Sequence, residues 1–337
     1  MKITKIYYEP KIKEYELGRN LLEKYSNLPK TEIETHNNVE ELRKRENKEF
    51  PILKSYLIIG TRKTHKYVEN KKVSDYLVPF TSTGCTAMCL YCYLVCHFNK
   101  CSYLRVFVNV DEMLDKLIKF SNKVDKESIF EIGSNSDLIL ENEITNNLPH
   151  VIEKFAKEGR GKITFPTKFG NVDTLLDLKH MNKCIIRMSI NIDEVIREIE
   201  IGTDNLENRI EGLIKLYKAG YEVGIIIAPV IMVENHIEKY MNLISYISKK
   251  LPENLKKSIF FEVIYMTYSY VHNEINKEAF KKTRVLLDKE KMRGCNYGKY
   301  RYKDKYIEEG KELFYKNLKL YFPYAEIKYI VWFAKNI

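Results

Sequence analysis

The chain has 337 residues, 45% hydrophobic and 30% charged, enough apolar material for one large or two ordinary domains, which excludes a disordered chain and a disulfide-stapled miniprotein. No run reaches the roughly eighteen apolar residues of a membrane span, and Met1-Lys2-Ile3-Thr4-Lys5 leads into no apolar signal region, so a cytoplasmic protein without a membrane segment is expected. Lys and Arg outnumber Asp and Glu by 56 to 46, a net +10 that favours a polyanion such as nucleic acid, although AT-rich coding enriches lysine too.

In chain order, a strand over residues 3–8, a helix over 15–25, a polar stretch and a strand over 55–60 predict a mixed N-terminal α/β layer, residues 1–74. From Asp75 to residue 266 apolar runs alternate with segments of helical period. The predicted strands are 76–81, 128–133, 162–167, 184–190, 222–228 and 259–265. The predicted helices are 111–124, with Asp111 as N-cap, then 145–158, 172–178, 205–219 and 235–250. Such alternation implies parallel strands joined by crossover helices, here a partial (β/α)6 TIM-like barrel. Residues 267–337 follow as a C-terminal cap, with a basic and aromatic hairpin, a helix over 307–321 and a strand over 327–333.

Functional groups in barrels gather at the C-terminal strand ends. There the sequence places a cysteine loop, Ser134-Asn135-Ser136-Asp137, Lys168, Ser189 with Asn191, and Ala228-Pro229. Five of the seven cysteines, Cys85, Cys89, Cys92, Cys96 and Cys101, lie close together, a pattern of metal or redox chemistry in a cytosolic chain. Cys85-x3-Cys89-x2-Cys92 can hold three irons of a 4Fe-4S cluster and leave the fourth open. A structural zinc site, or a closed cluster with Cys96 as fourth ligand, are the other readings of the same thiols.

With Tyr93 beside the last cysteine, this spacing resembles the radical SAM superfamily, in which S-adenosyl-L-methionine chelates the open iron. A longer set of motifs, among them Tyr7-Tyr8-Glu9-Pro10, Thr35-His36-Asn37, Gly60-Thr61-Arg62-Lys63, Thr167-Lys168, Ser189-Ile190-Asn191, Ala228-Pro229 and Gly298-Lys299-Tyr300, resembles the spore photoproduct lyases over nearly the whole chain. The resemblance implies repair of 5-thyminyl-5,6-dihydrothymine in DNA through a 5′-deoxyadenosyl radical. It also implies a low-potential electron donor of flavodoxin or ferredoxin type. Carried over by position, Lys168, Ser189 and Ala228 would contact S-adenosylmethionine and Tyr91 would pack near the adenine. Tyr93 would stand beside the reacting centre. Glu200, Thr203 and Arg209 are weaker candidates for the same cofactor.

Three positions in two regions depart from the family. Ser134 stands where its members carry the cysteine that returns a hydrogen atom to the product radical, and a serine O–H bond is too strong for that. Cys96 is the expected substitute, ahead of Cys101 and Cys295. In the hairpin, Gly294 and Cys295 replace the family's Arg-Tyr pair, leaving Arg293, Tyr297, Lys299 and Tyr300 as candidate DNA contacts. A radical SAM enzyme acting on another nucleobase, and a non-catalytic DNA-binding protein with a structural metal, are the alternative functions.

Overall fold

The computed structural model describes residues 2–78, 81–94, 103–281 and 283–331. The six predicted barrel strands are all present, as Tyr76–Leu77, Ile129–Glu131, Lys162–Thr167, Cys184–Ile190, Glu222–Val230 and Phe260–Tyr265. They lie side by side in chain order and pair in parallel. Glu326–Val331 extends the sheet as another parallel strand beside Phe260–Tyr265, and Val68–Glu69 closes the opposite edge antiparallel.

The sheet is curled, and one guanidinium demonstrates it. On the fourth barrel strand, alternation puts Ile186, Met188 and Ile190 in the main apolar core and Arg187 and Ser189 on the opposite face. Arg187 pairs there with Glu131 of the second strand and Glu262 of the sixth. In a flat sheet those two strands would lie about 19 Å apart, too far for their carboxylates to share one side chain. The concave face of a partial barrel brings them together.

A second sheet runs in the order Lys30–Glu32, Lys5–Tyr8, Tyr56–Gly60, Leu104–Phe107 and Ser82–Thr83, with only the last pairing antiparallel. Residues from both sides of position 74 therefore build each large sheet. Ser82–Thr83 delivers the chain directly into the cysteine loop.

Several predicted elements shift. Asn109, not Asp111, precedes the helix Val110–Ser121. The helix predicted over 145–158 is Leu148–Glu158, and a separate helix not predicted, Leu138–Thr145, precedes it and stops where Asn146 turns left-handed at φ 52°. Residues 172–178 contain only the 3-10 turn Asp173–Leu175, and the C-terminal helix starts earlier, at Asp304. The helix Tyr270–Ala279 was not anticipated. Among the described residues no helix is long and apolar enough to cross a membrane.

Candidate active site

The cysteine loop is held from several directions. Gly84 makes the turn into it at φ 83°, a conformation that favours glycine. Met88–Cys89 then pairs antiparallel with Glu200–Ile201, Cys89 opposite Glu200. The Leu90 amide donates to the Ile199 carbonyl at 2.9 Å and the Leu90 carbonyl accepts from Asn276 at 2.7 Å. Lys54 donates to the Cys85 carbonyl at 2.5 Å.

Cys85, Cys89 and Cys92 line a cavity of about 350 Å³ at the C-terminal ends of the barrel strands. Burial pushes the Cys85 thiol up to about 12 and raises that of Cys89 as well. Bare thiolates are thus disfavoured here, and a bound metal group would supply the positive charge that keeps them ionised. Among the described residues no three His, Cys, Asp or Glu side chains close on a single ion. The three thiols line one cavity, a donor set able to hold a metal group there.

Facing them across the cavity are the strand-end residues singled out in the sequence. The Lys168 amine donates to the Ser189 hydroxyl at 2.5 Å and to the Ala228 carbonyl at 3.2 Å, and Ser189 also donates to Ala228. Lys168 lies 5.8 Å from the Tyr91 ring. Its counter-charge is Glu200, at 3.2 Å, which also meets Arg209 at 2.7 Å and accepts from the Tyr91 hydroxyl. Burial alone would raise the Glu200 carboxyl; Lys168 and Arg209 outweigh it and hold the group at about 2. Arg209 donates onward to the Thr203 hydroxyl and the Ser189 carbonyl. Of the weaker candidates, Thr203 lines the cavity, whereas Glu200 and Arg209 brace its wall from behind.

Tyr93 is half exposed, and its hydroxyl donates to the Ser134 carbonyl, so both residues sit at the cavity mouth. Cys96 and Cys101 lie outside the described residues. Cys295 is not in the cavity wall; its thiol donates to the Lys299 carbonyl. Arg293, Tyr297, Lys299 and Tyr300 belong to the hairpin of Met292–Cys295 and Lys299–Tyr302, which joins the cavity wall through Thr267–Ser269. Arg293 is paired with Asp304 at 2.6 Å, and Tyr300 packs against the main core. Tyr297 is 95% exposed at the tip.

Sequence reasoning assigned no role to Asp137, which accepts from the Lys168 amide at 2.9 Å and the Thr167 hydroxyl at 2.8 Å and caps the helix behind them. Its place after the second strand was the available signal. For Lys54, His272 and Asn276 there was none.

The family model of spore photoproduct lyase matches residues 2–331. The chain belongs to the spore photoproduct lyase family. It is 36% identical to the spore photoproduct lyase of Bacillus subtilis (strain 168) over 96% of this chain and 97% of that protein. To the spore photoproduct lyase of Clostridium acetobutylicum it is 33% identical, over 97% and 98%. Among solved structures it resembles spore photoproduct lyase complexed with dinucleoside spore photoproduct, at a TM-score of 0.90 and 30% identity over 97% of this chain and 98% of that one. A mutant spore photoproduct lyase with bound AdoMet and the same dinucleoside matches equally well.

Proposed function

We propose that this chain is a radical SAM DNA repair lyase that returns the spore photoproduct, 5-thyminyl-5,6-dihydrothymine, to two thymines. One observation carries the reading: three thiols and the Lys168, Ser189 and Ala228 group share one cavity in a chain of this family. A 4Fe-4S cluster with S-adenosylmethionine, when bound, supplies a 5′-deoxyadenosyl radical able to abstract hydrogen from C6 of the lesion.

The residues divide the remaining work. Cys85, Cys89 and Cys92 hold the iron. Lys168, Ser189 and the Ala228 carbonyl offer a cation, a hydroxyl and an acceptor to the polar groups of S-adenosylmethionine, and the Tyr91 ring offers a surface to its adenine. Asp137 and Glu200 fix Lys168, through its amide and its ammonium respectively. Tyr93 stands at the mouth, where an extruded base would enter. Because Ser134 has no thiol, and the cysteines in the described wall are the three iron ligands, Cys96 is the proposed hydrogen donor to the product. The hairpin, with Tyr297, Lys299 and Arg293, contacts the damaged DNA, and a low-potential flavodoxin or ferredoxin delivers the electron in the cytoplasm.

The test is anaerobic reconstitution with iron and sulfide, then a lesion-bearing oligonucleotide with S-adenosylmethionine and dithionite. Thymine-containing product is expected by mass spectrometry. Cleavage of S-adenosylmethionine without repair would point to another nucleobase substrate, and no cleavage to a binding protein.

A further inference from the structure

Three polar side chains outside the cavity wall reach the cysteine loop from distant parts of the chain. Asn276 donates to the Leu90 carbonyl and to no charged group. His272, one helical turn earlier, is 1% exposed and reaches the Cys92 backbone. Lys54, which ends the short helix Phe50–Leu53, is also 1% exposed. Its amine donates to the Cys85 carbonyl and lies 5.5 Å from the Phe50 ring. Phe50 and Ile275 form the apolar seat on which Cys92 packs.

Holding a loop in place requires only neutral donors, as Asn276 shows. Burying an ammonium costs far more hydration than burying an amide, so the charge of Lys54 calls for a separate explanation. Burial pulls the Lys54 amine below its ordinary value, and the negative thiolates of Cys85, Cys92 and Cys89 oppose that pull. Three coordinated thiolates concentrate negative charge at this point, and one-electron reduction of the group they hold adds one more. A fixed cation in a weakly screened interior stabilises the more negative state more strongly. Net charge and solvent exclusion are among the main determinants of iron–sulfur reduction potentials.

We propose that Lys54 is a positioning residue that compensates the charge of the cysteine loop and raises the reduction potential of the iron–sulfur group it holds, an inference that rests on the cluster assignment above. It touches the backbone of a ligand and not the reacting atoms. The charge is the functional element, so arginine should replace it and neutral side chains should not.

The experiment compares wild type with Lys54→Met, Lys54→Gln and Lys54→Arg after anaerobic reconstitution. Iron and sulfide per chain are measured first. The midpoint potential is then read by dithionite titration, following the electron paramagnetic resonance signal of the reduced state. Lys54→Met and Lys54→Gln should shift the midpoint to more negative values, with Lys54→Arg close to wild type. Lys54→Gln keeps a donor toward the Cys85 carbonyl, so it carries the comparison if Lys54→Met assembles no cluster. An unchanged midpoint in a fully loaded neutral variant overturns the proposal, as does an arginine variant that shifts as far as the neutral ones. A wild-type chain that takes up no iron overturns the cluster assignment and this proposal with it.

Discussion

Glu200 lies opposite Cys89 in the two-stranded ribbon while its carboxylate meets the Lys168 ammonium at 3.2 Å. One residue thus ties the backbone of a cysteine proposed to hold iron to the side chain proposed to contact S-adenosylmethionine. Replacing it with glutamine keeps the shape but leaves Lys168 and Arg209 without their buried anion. Removing one partner of such a network costs about 3–5 kcal/mol. Glu200→Gln should therefore lower stability by roughly that amount in urea denaturation. It should also weaken S-adenosylmethionine about tenfold, by calorimetric titration of the reconstituted protein. Wild-type affinity in the variant would separate Glu200 from the cofactor site.

The serine at position 134 makes a second prediction. Cys96→Ala should retain cluster content and S-adenosylmethionine cleavage while lowering thymine yield and diverting product to adducts. Adding Ser134→Cys to that variant places a thiol at the cavity mouth beside Tyr93 and should recover much of the yield. Product analysis by mass spectrometry reads both. A Cys96→Ala enzyme with full thymine yield removes Cys96 from the reaction.

The barrel was legible because its strands are long apolar runs: Lys162–Thr167 and Cys184–Ile190 have the bounds that their composition predicts. What stayed hidden had no period to display. Leu138 through Asn142 are all buried, so this helix shows no polar face, and Leu104–Phe107 is buried at every position. The strand-end rule brought Lys168, Ser189 and Ala228 together correctly, since topology alone places strand ends. Lys54 and Asn276 escaped it. They meet the cysteine loop from 31 and 186 residues away along the chain, and nothing local marks either residue.

Tyr297 supplies a third prediction. It occupies the left-handed region at φ 62°, with its ring 95% exposed at the hairpin tip. For a bulky residue that conformation costs about 1 kcal/mol or more, and an exposed ring returns no packing energy. Asparagine tolerates the same backbone, so Tyr297→Asn should leave stability unchanged or raise it by up to about 1 kcal/mol. Binding to lesion-bearing duplex DNA should fall about tenfold if the ring stacks on bases. Fluorescence anisotropy at fixed salt measures this, and equal affinity would assign the tip no role in DNA contact.

Glu141 is buried beneath the strand that feeds the cysteine loop and accepts hydrogen bonds from the Thr81 and Ser82 hydroxyls. Burial raises its carboxyl from 4.5 to about 7, and Ser82, Thr81 and Thr145 oppose the rise only in part. The folded state therefore binds this proton more tightly than the unfolded chain does. The resulting stability is fully present below about pH 4.5, declines as pH rises, and is lost once pH passes about 7. The whole change is on the order of 3 kcal/mol. Glu141→Gln is neutral at every pH and lacks that decline, so its stability relative to wild type should improve by roughly 2–3 kcal/mol between about pH 5 and pH 8. Urea denaturation across that range decides the matter: parallel pH curves for the two proteins would mean that Glu141 is already ionised in the folded state, with Thr81 and Ser82 stabilising the charge.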